Sequence, residues 1–76
     1  MMRNPENRVR YGPHPMNGRA AADALTGRKG VVTGQAVEYS RWTGKAVRCE
    51  VFLRPRGGGV EWTVNAHELL PLTDAA

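Results

Sequence analysis

The chain has little of what most function classes require. One cysteine among 76 residues excludes an internal disulfide. No apolar run approaches the roughly 18 residues that a spanning helix needs, so no membrane partner is expected. The opening Met1-Met2-Arg3-Asn4-Pro5-Glu6-Asn7 has no apolar stretch after its charge, which argues against a secretory signal. A lone free thiol suits a reducing compartment, so the expected location is the cytoplasm or a particle assembled there. Catalytic side chains are equally scarce. The nucleophiles are Cys49 and a few hydroxyls, and the bases are His14 and His67, far apart in sequence. One cysteine and two distant histidines make no zinc set. No enzyme, metal or cofactor is expected.

Acid is also in short supply: 7 Asp and Glu stand against 11 Lys and Arg, for a net charge of +4. The imbalance is local. Arg3, Arg8, Arg10, Arg19, Arg28 and Lys29 outweigh Glu6 and Asp23 in residues 1–29, whereas the cations and anions of residues 30–76 cancel. A basic segment on a neutral body suits nucleic acid, an acidic protein surface or anionic lipid, or it serves solubility alone.

What is present is mostly strand pattern. Residues 1–16 hold Pro5, Pro13 and Pro15 with few apolar side chains. They read as an extended arm that could lie across the body through Val9 and Tyr11. Asn17 to Gly27 carries a capping residue, a run of alanines and a stop glycine, and predicts a short helix leaning on the body through Leu25. Val31-Val32-Thr33 begins a strand, Gly34 marks a bulge or bend, and Val37 and Tyr39 continue at period two. Ser40 to Gly44 is a turn. From Lys45 to Arg54 the alternation is strict, with Val47, Cys49, Val51 and Leu53 inward and Arg48, Glu50, Phe52 and Arg54 outward. Pro55 to Gly59 can only be a loop, and Val60, Trp62 and Val64 return as the second arm of a hairpin. Asn65 to Leu70 has a capping residue with Glu68 three positions on, the pattern of a single 3₁₀-like turn. Pro71 stops it, and Leu72 can add a last short strand.

Gly27-Arg28-Lys29-Gly30-Val31-Val32-Thr33-Gly34 resembles the opening of KOW modules. Val60-Glu61-Trp62-Thr63-Val64-Asn65-Ala66-His67-Glu68-Leu69-Leu70-Pro71-Leu72 resembles the closing strand, 3₁₀ turn and final strand of SH3-like small β-barrels. The expected architecture is therefore mainly β: an SH3-like barrel over 27–73, a basic arm with a short helix over 1–26, and a frayed C-terminus at 74–76. The resemblance implies a non-enzymatic module of the kind that binds nucleic acid, ribosomes, polymerase subunits, peptides or modified tails, or forms part of a phage particle. Fold alone does not choose among these.

Two further readings concern binding. In Tyr39-Ser40-Arg41-Trp42-Thr43-Gly44-Lys45 the indole could stack on a base while Arg41 and Lys45 reach phosphates, or it could fold under the barrel as core. Phe52 is a large apolar residue on the solvent side of a strand, which suggests cover by the arm, the helix or a partner. The candidate contact set is Arg8, Arg10, Arg19, Arg41, Trp42, Lys45, Arg48, Phe52, Arg54 and Arg56. The expected role is a binding module that contacts nucleic acid within a larger nucleoprotein assembly. The alternative is a protein–protein adaptor or structural piece, self-associating or phage- or plasmid-encoded. A body this small favours part of an assembly.

Overall fold

The computed structural model describes residues 5–72. Its secondary structure is six antiparallel strands and one 3₁₀ turn. The strands are β1 (Arg8–Gly12), β2 (Ala20–Asp23), β3 (Lys29–Tyr39), β4 (Ala46–Arg54), β5 (Trp62–Asn65) and β6 (Leu69–Pro71), with the turn at Ala66–Glu68. They form one sheet in the order β5-β4-β3-β2-β6, with β1 also paired to β3. The expected frayed end at 74–76 lies outside the described residues, as does the start of the arm.

β3 organises the sheet. Its eleven residues alternate buried and half-buried after an exposed Lys29, as the β-branched, period-two sequence predicts. Lys29 to Val31 pair with β2, and Gln35 to Tyr39 pair with β1. Along its other edge β3 pairs with β4 over nearly its whole length. The register slips between Val32 and Gly34, so Gly34 does mark a bulge. A second slip between Glu38 and Tyr39 leaves Val47 out of the ladder near the hairpin tip.

Directly opposed residues share a face of the sheet. Val32, Leu53 and Trp62 therefore form one cross-strand row, and Gln35, Val51 and Val64 the next. The core gathers on this face from Ala21, Val32, Val51, Leu53 and Val64, with Met16, Trp62, Ala66 and Leu69 packed against it. The inward face expected for β4 and β5 holds at Val51, Leu53 and Val64. It fails at Val47 and Val60, which are exposed. Val47 sits at the bulge, and β5 starts only at Trp62, so Val60 belongs to the loop.

The expected helix over 17–27 does not form. Ala20–Asp23 is a strand held between β3 and β6, with turns on either side. Two helical turns are marginal in water, whereas a strand here satisfies two sheet edges. Alanine fits because Ala20, Ala21 and Ala22 are all buried. Leu25 then lies on an exposed turn and anchors nothing. The 3₁₀ turn forms where expected, but Asn65 makes no side-chain cap to the backbone. Its amide donates instead to Glu68 Oε1 at 3.1 Å. The expected last short strand forms earlier than Leu72, as β6 over Leu69–Pro71, with Pro71 as its final residue.

The arm is part of the sheet. β1 pairs in continuous register with β3, from Arg8 opposite Tyr39 to Gly12 opposite Gln35. On the face away from the core, the Tyr11 ring stacks on Phe52 with centroids 6.3 Å apart and planes 10° from parallel. Gly34 leaves room for this: a Cβ there would lie 3.1 Å from the Gly12 carbonyl oxygen and 3.6 Å from the Phe52 ring. Of the three covers open to Phe52, the arm supplies one.

Candidate functional site

The β3–β4 hairpin runs past the core, and its tip carries the most exposed aromatic ring among the described residues. Trp42 is 79% exposed, so it is not core. The ring projects into solvent from a loop that is braced by polar bonds. Ser40 N–H donates to the Lys45 carbonyl at 2.8 Å, and Gly44 N–H to the Ser40 carbonyl at 2.9 Å. Ser40 Oγ accepts from Trp42 N–H at 3.2 Å and Thr43 N–H at 3.3 Å, and Thr43 Oγ1 accepts from Lys45 N–H at 3.2 Å. Gly44 has φ +72°, a left-handed position that suits glycine and closes the loop. The indole is thus displayed on a fixed backbone.

Beside it, β1 and the tip enclose an open cleft of about 610 Å³ lined by Glu6, Arg8, Arg10, Tyr39, Ser40, Arg41 and Gly44. Arg8 and Arg10 sit opposite Tyr39 and Val37 in the ladder, so both share one face. The Arg41 guanidinium lies 5.6 Å from the Trp42 ring centroid, within cation–π range. It also stands 3.6 Å from Glu6 Oε1 across an exposed pair. Three guanidiniums against one carboxylate leave the cleft with an excess of two positive charges.

Asn7 fixes this geometry. Its Oδ1 accepts from Arg41 N–H at 3.0 Å, and its Nδ2 donates to Glu38 Oε2 at 2.8 Å. One side chain thereby ties the arm to both β3 and the tip. Asn7 and Glu6 were not among the candidates from sequence, whereas Tyr39 opens the loop read there as a binding segment. Tyr39 shows as a strand residue in the pattern, but the contacts of Asn7 and Glu6 span more than thirty positions, and nothing local signals them.

The ten candidates do not form one patch. Arg8, Arg10, Arg41 and Trp42 meet at the tip, with exposed Lys45 on the same loop. Arg48 is half-buried on the outer face, 3.6 Å from Glu50. Phe52 is stacked by Tyr11. Arg19 is exposed on the turn before β2, with its carbonyl bonded to Val32 N–H. Arg54 and Arg56 lie at the opposite end of β4.

Cys49 is half-buried and Sγ donates to Gln35 Oε1 at 3.4 Å. Burial, and secondly the Glu50 charge, push its pKa above the ordinary 9.0, which is the wrong direction for a nucleophile. Among the described residues no three His, Cys, Asp or Glu side chains gather as a metal-ligand set. The tip can therefore offer guanidiniums to anions and one flat, solvent-facing ring.

No family model matches the chain, and no curated protein or solved structure matches it.

Proposed function

We propose that this protein is a small non-enzymatic binding module that holds single-stranded nucleic acid at the hairpin tip, as part of a larger assembly. One observation carries the reading: Trp42 stands exposed on a polar-braced loop, with Arg41 over its ring and the Arg8–Arg10 cleft beside it. A free indole costs solvation and does nothing for this fold. It is the right surface for an unpaired base, while guanidiniums take the flanking phosphates. Duplex DNA keeps its bases stacked inside and offers the ring no partner. The strand order and the 3₁₀ turn before the last strand support an SH3-like arrangement of this module, and a cytoplasmic setting suits its free thiol.

A second reading, a protein-interaction piece, draws on a different observation. β5 pairs with β4 over Glu50 to Leu53, and beyond it the 3₁₀ turn flanks Ala46 to Cys49 across an open cleft lined also by Asn65, Ala66 and His67, where Val47 is exposed. An exposed valine beside a cleft at a sheet edge can take an extended segment of a partner.

Oligo-dT and oligo-rU titrations followed by anisotropy separate the two. Wild type should bind both, with an affinity that falls with salt. Four phosphate contacts, from Arg8, Arg10, Arg41 and Lys45, would give a log–log slope near −2.8, at about −0.7 per contact on single strands. Trp42→Ala should lose about 1–3 kcal/mol on single strands and leave the melting temperature unchanged, because the ring supports no core. A protein that ignores both oligonucleotides at low salt sinks the nucleic-acid reading and leaves the protein-interaction one.

A further inference from the structure

A second concentration of exposed cations lies at the other end of β4. Arg54 ends that strand and Arg56 stands in the loop beyond it. Val31 is opposite Arg54 in the ladder, so Lys29, the first residue of β3, and Arg28 just before it lie at the same end. All four side chains are exposed. Their backbones are held on the packed body. Gly30 approaches so closely that a Cβ would fall 2.6 Å from the Arg54 carbonyl oxygen and 2.7 Å from the Trp62 ring. The Arg28 guanidinium lies 3.9 Å from the centroid of that ring. Two acids stand nearby: Asp23 is buried and accepts from Leu25 N–H, and exposed Glu61 accepts through Oε2 from the Thr33 hydroxyl at 2.5 Å, so the four cations outnumber them by two.

The two ends are far apart. The nine residues of β4 span about 30 Å at roughly 3.3 Å per residue, and the molecule measures 45 × 21 × 19 Å. That exceeds the Debye length of about 10 Å at ~0.1 M salt, so the ends act as independent charged sites. Between them the outer face carries Arg48 beside Glu50 and a buried Glu38. The ends also differ chemically. Trp42 shows its ring to solvent, whereas Trp62 is half-buried with Arg28 against it. The tip suits unpaired bases. The far end offers guanidiniums without a displayed ring, which suits a phosphate backbone whether its bases are paired or not.

We propose that the two ends hold separate segments of nucleic acid, so that one copy of the protein bridges a single strand at the tip to a second segment, duplex included, at the Arg54–Arg56 end. This rests on the nucleic-acid reading above and goes beyond it, because that reading needs only the tip.

The experiment uses beads carrying biotinylated oligo-dT of about 30 nucleotides and a fluorescent duplex of about the same length in solution. Wild-type protein should retain the duplex on the beads in a salt-dependent way. The double variant Arg54→Gln, Arg56→Gln should keep its affinity for oligo-dT within about threefold, yet retain at least about tenfold less duplex. Both arginines are exposed, and the charge reversal Arg54→Glu, Arg56→Glu repeats the test, with thermal melts confirming the fold of each. If both variants bind oligo-dT and retain as much duplex as wild type, the bridging proposal is overturned and the single-strand reading survives. Bridging is equally overturned if duplex retention scales with self-association and ignores these arginines. If wild type binds no oligo-dT at about 50 mM salt, both proposals fall together.

Discussion

Replacing Gly30 by alanine tests the packing where β3, β4 and Trp62 converge. Gly30 is buried in β3 opposite Ala21, and its φ is not left-handed, so alanine meets no conformational barrier. On that ground alone the change would stabilise by about 0.4–1 kcal/mol through the unfolded chain. Space decides otherwise. The new methyl would lie 2.6 Å from the Arg54 carbonyl oxygen and 2.7 Å from the Trp62 ring, both well inside van der Waals contact. Overpacking costs about 1–3 kcal/mol. The upper end applies because one obstacle is backbone and the other a ring pinned by Arg28. The net expectation is a loss of about 2 kcal/mol. At about 4–8 °C per kcal/mol for a domain of this size, the melting temperature should drop by about 8–16 °C. Urea unfolding should show a lower midpoint at unchanged slope. In a Trp42→Phe background the remaining emission is that of Trp62 and should shift to the red as the ring is pushed outward. Gly34→Ala is the graded control, since its closest contact is a milder 3.1 Å, and it should cost less. A Gly30→Ala protein that melts with wild type, with unmoved emission, would refute this account of the packing.

The remaining predictions concern the core, the arm and the thiol. Leu53→Ala should cost about 2–5 kcal/mol in urea unfolding, since Leu53 is fully buried. Deleting residues 1–16 should destabilise the sheet rather than spare it, because it strips β1 from β3 and uncovers Phe52. A truncated chain with an unchanged melting temperature would contradict the pairing. Cys49 has its folded pKa raised, so its contribution to stability is complete below the ordinary 9.0 and is lost as pH rises through the higher folded value. Alkylation should be slower than for a free thiol at the same pH, and Cys49→Ser should flatten the alkaline limb of a stability–pH curve.

The strands legible in sequence were those whose pattern is their own. β3 and β4 alternate at period two, Gly34 breaks the rhythm where the bulge falls, and Pro55 to Gly59 admits only a loop. β2 was illegible for the opposite reason. Three alanines and an aspartate favour a helix locally, and only two sheet neighbours, one of them nearly fifty positions away, make the segment a strand. The site divided in the same way. Trp42 and Arg41 stand together in the sequence and on the tip. Arg8 and Arg10 reached the tip because β1 pairs with β3, and Arg54 and Arg56 left it because β4 is long. Alternation placed their side chains on faces but said nothing about distance along the strand.

The placement of β2 has a consequence for how the chain folds. Its partner in β3 lies only a few residues downstream, but its partner in β6 is the last strand of the described chain. The hairpin contacts close small loops and form early, whereas the β2–β6 pairing must close a loop of nearly fifty residues. During synthesis β1 to β4 can therefore assemble while one edge of β2 still has no neighbour. For that interval the chain carries an open polyalanine edge able to accept a strand from another molecule. The arrival of Leu69 to Pro71 ends the exposure, so the final three-residue strand acts as a time-limited seal on the growing sheet.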